Sequence, residues 1–466
     1  MRVLAFIGAV VGAGAVVQAA VVPTHSEPLL LKRQNATSTN TTEALPPSQD
    51  PWYDAPAALN RKPNGAVLKA RNVSTAFDTF STAYQLLYKT TDAQGEPDAT
   101  NTLVFAPLEP LSPPQILLYM APADTAAIDC SVQYALLSNT ESNITSSSSS
   151  ISLLIALSKG YYVSLPDHEG SKAAFISGVT EARAGLDGLR ALLNFKTALP
   201  SSDGYKAVIF GYSGGGHAAA WATQYLTSYG KGLNVVGASF GGVPVDLYYT
   251  FDLLSATNNT NLGFSAMAGL ANAEPALNRW LLSNLYANGT DAIAYARSNE
   301  YCLDSIPNAT YPWAGADFYT FFKGGEMALH KGLPARYLGQ EELGIATPDG
   351  NKGVLPSIPV FMFHSKTDEV VSYGPIRPYY LAQCQKGAKI HLATTTGSEH
   401  STTFINYLGD SFLFIERAFN GTTGVNSCSS SDGVELELLS PGYIQAVGAL
   451  AATQLLQLSG AARMRV

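Results

Sequence analysis

The sequence predicts an α/β fold: a mainly parallel sheet, flanked by helices and interrupted by an inserted helical cap. Three observations carry that prediction. Short apolar runs closed by turns alternate with segments whose apolar residues recur at helical spacing. One run leads straight into Gly211-Tyr212-Ser213-Gly214-Gly215 and then into a helix-forming stretch. Between about 245 and 335 the strand rhythm stops and aromatic residues crowd in.

The first stretch, MRVLAFIGAVVGAGAVVQA, places one Arg before an apolar run and small residues at Val17 and Ala19. That is the pattern of a secretory signal peptide over 1–19. Its glycines and the lack of a basic stop-transfer flank speak against a membrane anchor. No other run reaches 18 uninterrupted apolar residues, so no transmembrane anchor is expected in the mature chain. Lys32-Arg33 reads as a processing site that makes 20–33 a propeptide; two solvated charges are the alternative.

From Gln34 to about Pro63 the chain is a polar, Pro-rich lead-in, and alternation begins after it. Residues 113–124, PPQILLYMAPAD, read as a buried strand closed by a loop. The serine run Ser146–Ser150 reads as a solvated loop that caps the helix ISLLIALSKG, with Gly160 as its stop. YYVSLPD (161–167) is the next strand, and 175–195 carries Val179, Leu186, Leu189 and Leu193 at helical spacing. AVIF (207–210), NVVGASF (234–240), IPVFMFH (358–364) and KIHLATT (389–395) are further strands. The core therefore takes 34–244 and 336–466, and the cap 245–335. More helices packed on the sheet is the alternative to a cap.

Composition narrows the function. Hydrophobic residues make up 46% and charged residues 14%, which excludes a disordered chain. The net charge is −8 with no Lys/Arg cluster, so no nucleic-acid partner is expected. Glycosylation sequons begin at Asn35, Asn40, Asn72, Asn143, Asn258, Asn288, Asn308 and Asn420. Together they suggest a secreted, extracellular glycoprotein with these sites on surface loops. Cys130, Cys302, Cys384 and Cys428 fit two disulfides in that compartment and are too far apart for a zinc ribbon. Three pairings are open.

The chemistry centres on the G-x-S-x-G turn. Flanking glycines allow a tight strand-to-helix turn that lifts the Ser213 hydroxyl to the carboxyl edge of the sheet. The helix start aims backbone N–H groups at an incipient oxyanion. A phosphate-binding loop is the weaker reading, because the P-loop Lys and the G-x-G-x-x-G spacing are missing. A serine needs a base, and in this order an acid and then a histidine follow, each after a late strand. Among seven histidines, His25 lies in the segment expected to be removed. His217 is expected to pack on the turn's helix, and His330 belongs to the cap. His364 and His391 lie on strands. His400, in a loop after the last strand and just before a helix, is the base candidate, with His168 in reserve. Asp368, in the loop after IPVFMFH, is the acid candidate; its neighbour Glu369 reads as a solvated or gate-lining carboxylate. A second oxyanion donor is expected in the loop after ILLYM, where Asp124-Thr125 lies.

With these residues in place the chain resembles the fungal secretory lipase family of the α/β-hydrolase superfamily. GYSGGGHAA (211–219), GYYVSLPDHEGSKAAF (160–175), LDGLRA (186–191), HSKTDEVV (364–371) and EHSTTF (399–404) carry the resemblance. It implies an α/β-hydrolase fold with an inserted helical cap and a triad at Ser213, Asp368 and His400. It also implies oxyanion donors at Gly214 and Asp124, disulfides Cys130–Cys302 and Cys384–Cys428, and acyl-ester substrates. The expected activity is serine ester hydrolysis, foremost of triacylglycerol, through a covalent acyl-enzyme, with no metal or organic cofactor. The partner is a lipid or other acyl ester, met at a lipid–water interface. Cap aromatics such as Phe318, Phe321 and Phe322 are expected to wall the acyl pocket. The alternatives are a carboxylesterase for soluble or aromatic esters, a serine peptidase, and an inactive binding protein.

Overall fold

The computed structural model describes residues 44–138, 144–302 and 311–463. The segments expected to be a signal peptide and a propeptide, and Asn35, Asn40, Asn143 and Asn308, lie outside them. Ten strands form one sheet: β1 Val67–Val73, β2 Ser81–Thr91, β3 Pro97–Pro107, β4 Gln115–Met120, β5 Tyr162–Pro166, β6 Lys206–Tyr212, β7 Val235–Gly241, β8 Pro359–Ser365, β9 Lys389–Thr395 and β10 Ser429–Asp432. Their spatial order is β1-β2-β3-β5-β4-β6-β7-β8-β9-β10. Pairing is antiparallel from β1 through β3 to β5 and parallel from β5 onwards.

The central strands are apolar without a break because both of their faces are covered. Along β6, Ala207 and Ile209 enter one core while Val208 and Phe210 enter the other. β4 divides the same way, with Ile116, Leu118 and Met120 opposite Leu117 and Tyr119. This is how a parallel sheet buried on both sides reads in sequence. One face is covered by helices α1 Val132–Ser138 and α2 Ile144–Ser158 and, from the end of the chain, by α12 His400–Asn420, α13 Pro441–Val447 and α14 Ala449–Arg463. The other face is covered by α3 Gly178–Asn194, α4 Gly214–Tyr225 and α11 Ile376–Gln385.

Between β7 and β8 the chain leaves the sheet for α5 Leu247–Leu254, α6 Thr260–Ala273, α7 Pro275–Asn284, α8 Ala287–Ala296, α9 Glu326–Leu329 and α10 Gly332–Gln340. These helices share a third hydrophobic core running from Leu247 to Leu338. The helical block thus straddles the expected boundary at 335. Ala126, Phe175 and Ile176, from the loops after β4 and β5, join that core and seat the block on the carboxyl edge of the sheet.

Several expectations change. The serine run is not a loop: α2 begins at Ile144 and takes it in. Serine costs only a few tenths of a kcal/mol relative to alanine in a helix. Ser149 and Ser152 are fully buried beside the Tyr119 hydroxyl, so tertiary packing decides. Gly160 does stop the segment, at φ +76°. β9 is not the last strand, because β10 pairs beyond it. Not all described sequons are on loops. Asn258 is, but Asn72 lies on β1, Asn288 on α8 and Asn420 at the end of α12; all four are exposed.

Candidate active site

The site grows from the turn between β6 and α4. Gly211 and Gly215 approach backbone so closely that side chains would not fit. A Cβ on Gly211 would lie 2.1 Å from the Gly215 carbonyl oxygen, and one on Gly215 2.1 Å from that of Met120. Ser213, held between them, has φ +60° and ψ −129°. Such backbone costs of order 1–3 kcal/mol and persists only where the surroundings over-determine it. The Ser213 N–H donates to Gly241 O at 3.0 Å, tying the turn to β7.

The Ser213 hydroxyl lies 2.8 Å from His400 Nε2, and His400 Nδ1 lies 2.7 Å from Asp368 Oδ2. An ionised carboxylate only accepts, so the imidazole proton sits on Nδ1 and the bare Nε2 faces the serine. Asp368 Oδ1 accepts the backbone N–H groups of Val370 and Val371 at 2.9 and 2.8 Å. Burial works to raise the Asp368 pKa. The charge and hydrogen bond of His400, then His364 and the Val371 N–H, outweigh it and hold the carboxyl below its usual value. Burial likewise works against the His400 cation, but the Asp368 charge and hydrogen bond, with Glu369 and Asp124 behind them, raise its pKa above 6.5. A part-exposed hydroxyl, a bare imidazole nitrogen and a buried carboxylate in one line can remove a serine proton and stabilise the resulting imidazolium.

His400 is not in a loop; it is the first residue of α12. Glu369 is exposed yet more than a solvated charge, for it accepts the His400 N–H at 2.8 Å. Tyr212 donates its hydroxyl to His400 O at 2.7 Å. No sequence signal marked Tyr212, because its partner lies 188 residues away. The reserve candidate His168 is buried and donates from Nε2 to Ala121 O at 2.9 Å, while the imidazole on Ser213 is that of His400. His217 is buried beneath the turn, with Nδ1 2.6 Å from Glu181 and Nε2 accepting the Trp221 indole N–H at 2.9 Å. His364 donates to Val371 O at 3.0 Å. His391 faces Ser429 and Ser431 on β10, and His330 stacks on Tyr248 in the helical block.

Asp124 has φ +53° and lies against Gly214, where a Cβ would come within 1.9 Å of its Oδ1. Gly214 opens α4, so its N–H has no partner within the helix. Beside Ser213, Gly214 and Asp124 opens a pocket walled by Phe175, Ile176, Leu247, Phe251, Leu254, Leu262, Val370 and Val371. This wall is almost wholly apolar. Phe318, Phe321 and Phe322 are not part of it. They are buried in the core of the helical block, where Phe318 stacks on Phe251 at 5.1 Å. The aromatic signal is that of a packed core, which uses the same residues as a pocket wall. Cys130 is bonded to Cys302 and Cys384 to Cys428, so one bridge joins the helical block to the segment after β4 and the other lies within the core.

The secretory lipase family model matches residues 137–427. Lipase A of Moesziomyces aphidis is 35% identical over 90% of this chain and 90% of its own. A secreted triacylglycerol lipase of Malassezia restricta is 30% identical over 80% of each chain. A crystal structure of Candida antarctica lipase A in its closed state superposes with a TM-score of 0.82. It is 33% identical and covers 90% of this chain and 96% of that one. With a family model spanning more than half the sequence and relatives aligned along nearly all of it, the chain belongs to the secretory lipase family, carboxylic ester hydrolases with the α/β-hydrolase fold.

Proposed function

We propose that this chain is a secreted triacylglycerol lipase that works through Ser213, His400 and Asp368. The observation that carries the reading is the hydrogen-bonded line from a strained serine to a buried carboxylate, opening onto an apolar pocket. Ser213 Oγ attacks the ester carbonyl carbon while its proton passes to His400 Nε2. Asp368 keeps the other imidazole proton on Nδ1 and stabilises the cation. The backbone N–H groups of Gly214 and Asp124 receive the oxyanion; one such donor is worth about 2.7–4 kcal/mol. Collapse expels the alcohol, which takes the proton from His400, and leaves the acyl group on Ser213. Water, deprotonated by the same nitrogen, then releases the acid.

The acyl chain lies along Leu247, Phe251, Leu254 and Leu262, where each buried methylene contributes about 0.8 kcal/mol. The helices at 245–335 act as the cap over this pocket. The N-terminal signal, the Lys32-Arg33 pair and the sequons support export to the extracellular medium. Among the described residues no helix is long and apolar enough to cross a membrane. The lipid–water interface is the expected meeting place with substrate.

The test is a chain-length series of p-nitrophenyl esters from C2 to C16, together with tributyrin and triolein assayed below and above their solubility limits. A lipase gains activity on long chains and on emulsified triacylglycerol. Hydrolysis confined to dissolved short esters would place the chain among carboxylesterases instead.

A further inference from the structure

The loop after β4 carries Asp124 beside Ser213, and its conformation is not one that it holds alone. A non-glycine residue at φ +53° sits in a sparsely populated region. Three side chains from two other places grip this loop. His168 Nε2 donates to Ala121 O at 2.9 Å, before Asp124. Glu169 Oε1 accepts the Thr125 N–H at 3.3 Å, after it. Ser265, from α6 of the helical block, donates its hydroxyl to Asp124 O at 2.8 Å.

The last two contacts meet on one peptide group. Its carbonyl belongs to Asp124 and its N–H to Thr125, so the peptide is held from both ends and cannot turn. Both side chains are buried, Glu169 at 2% exposure and Ser265 at 0%. Glu169 has no cation beside it among the described ion pairs, and Asp167, Asp124 and Glu181 crowd it. Burial, then these carboxylates, push its pKa well above the usual value. A carboxyl buried without a counter-charge lowers stability. Its contribution lies in the geometry that it imposes.

We propose that Glu169 and Ser265 are positioning residues of the oxyanion hole: by holding the peptide that follows Asp124 from opposite ends they fix the backbone of Asp124, so that its own N–H, on the preceding peptide, stays aimed at the oxyanion. The inference rests on the Ser213 reading above. It makes the hole a joint product of core and helical block, because one grip comes from the Asp167-His168-Glu169-Gly170 turn and the other from α6. An oxyanion donor acts on charge that exists only in the transition state, so a misaimed one lowers kcat and leaves KM in place.

The experiment compares Ser265→Ala, Glu169→Ala, Glu169→Gln and Ser213→Ala in full-length protein. It measures kcat and KM on p-nitrophenyl butyrate, the rate of inactivation by a p-nitrophenyl phosphonate, and the melting temperature. Losing an oxyanion donor outright costs about 10²–10³ in kcat; misaiming one is expected to cost about 10-fold. Ser265→Ala and Glu169→Ala should each lower kcat and the phosphonylation rate by that common factor, with KM unchanged. Glu169→Gln, which keeps an acceptor for the Thr125 N–H, should recover most of the loss. Ser265→Ala removes one oxygen atom and decides the question even if Glu169→Ala does not fold. Unchanged kcat in Ser265→Ala, or losses that follow melting temperature with no recovery in Glu169→Gln, would overturn the proposal. Activity remaining in Ser213→Ala would instead overturn the reading on which it rests.

Discussion

The carboxyl edge of the sheet and the helical block above it are built by different means. At the edge, hydrogen bonds fix each of Ser213, His400 and Asp368: the serine N–H donates to Gly241 O, the histidine backbone is held by the Glu369 carboxylate and the Tyr212 hydroxyl, and the aspartate carboxylate accepts from the Val370 and Val371 N–H groups. In the block, position comes from apolar packing, with Leu247, Phe251, Phe264, Phe318 and Leu338 in one core. Hydrogen bonds hold reacting atoms in line; packing shapes a wall without directing any bond. The difference teaches that rate and chain-length preference should be separable by mutation, with Ser265 as the bridge between them.

The largest expected effect breaks the edge. Ser213→Ala and His400→Ala should each lower kcat by about 10⁴-fold or more, and Asp368→Asn, which leaves the imidazole in the wrong tautomer, by about 10⁴-fold. Losses should be equal for C2 and C12 esters, and double substitutions should add little to single ones. A chain-length-dependent loss at any of the three would blur the two regions.

Next comes the block's core. Phe318→Ala should destabilise by about 3–5 kcal/mol, the cost of emptying a buried aromatic site. Calorimetry should show a lower melting temperature, while the ratio of kcat/KM on C12 and C2 esters holds below that temperature. In the core itself, replacing Cys384 and Cys428 by Ser opens a loop closed at a separation of 44 residues. The chain-entropy estimate for a loop of that size is about 4 kcal/mol. Denaturant unfolding of the double variant should show a loss of unfolding free energy of that order, with kcat retained in the folded fraction.

A smaller effect belongs to the pocket wall. Leu262→Ala removes an apolar, partly exposed wall residue. It should lower kcat/KM on a C12 ester by about 4-fold for each methylene left unburied, from about 0.8 kcal/mol, and leave a C2 ester alone. Parallel losses on both esters would merge pocket and edge.

The smallest effect is electrostatic. In the proposed mechanism the base is neutral His400, whose pKa is raised above 6.5, so kcat/KM should fall as pH drops through a midpoint above that value. Glu369→Gln removes an exposed charge that favours the cation, and should move the midpoint down. An upward shift would contradict the sign.

How much of this could be read from sequence follows from the range of the forces. The strands β4 to β9 show themselves because burial on both faces demands unbroken apolar runs such as QILLYM and AVIF. The turn at Ser213 is legible because its close backbone approaches need glycines at fixed offsets. The order of Asp368 and His400 along the chain follows from the strand order. By contrast, the sequence does not separate the three antiparallel strands β1 to β3, since buried polar residues break the apolar pattern there: Gln85 donates to Asn101 Oδ1, and Thr102 lies 3.3 Å from Ser164 Oγ. The serine run of α2 obeys packing against Tyr119 rather than propensity. Phe318 looks alike in a pocket wall and in a core. The contacts of Tyr212, Glu169 and Ser265 span 188, 44 and 141 residues, and no local pattern encodes them.

The most direct test of the account is intact-mass and peptide mapping after treatment with a p-nitrophenyl alkylphosphonate. The account predicts one phosphonyl adduct per chain, located on Ser213, formed in step with loss of activity on both C2 and C12 esters. The adduct should be absent in Ser213→Ala and strongly slowed in His400→Ala. An adduct on another residue, or full hydrolytic activity in protein labelled at Ser213, would contradict it.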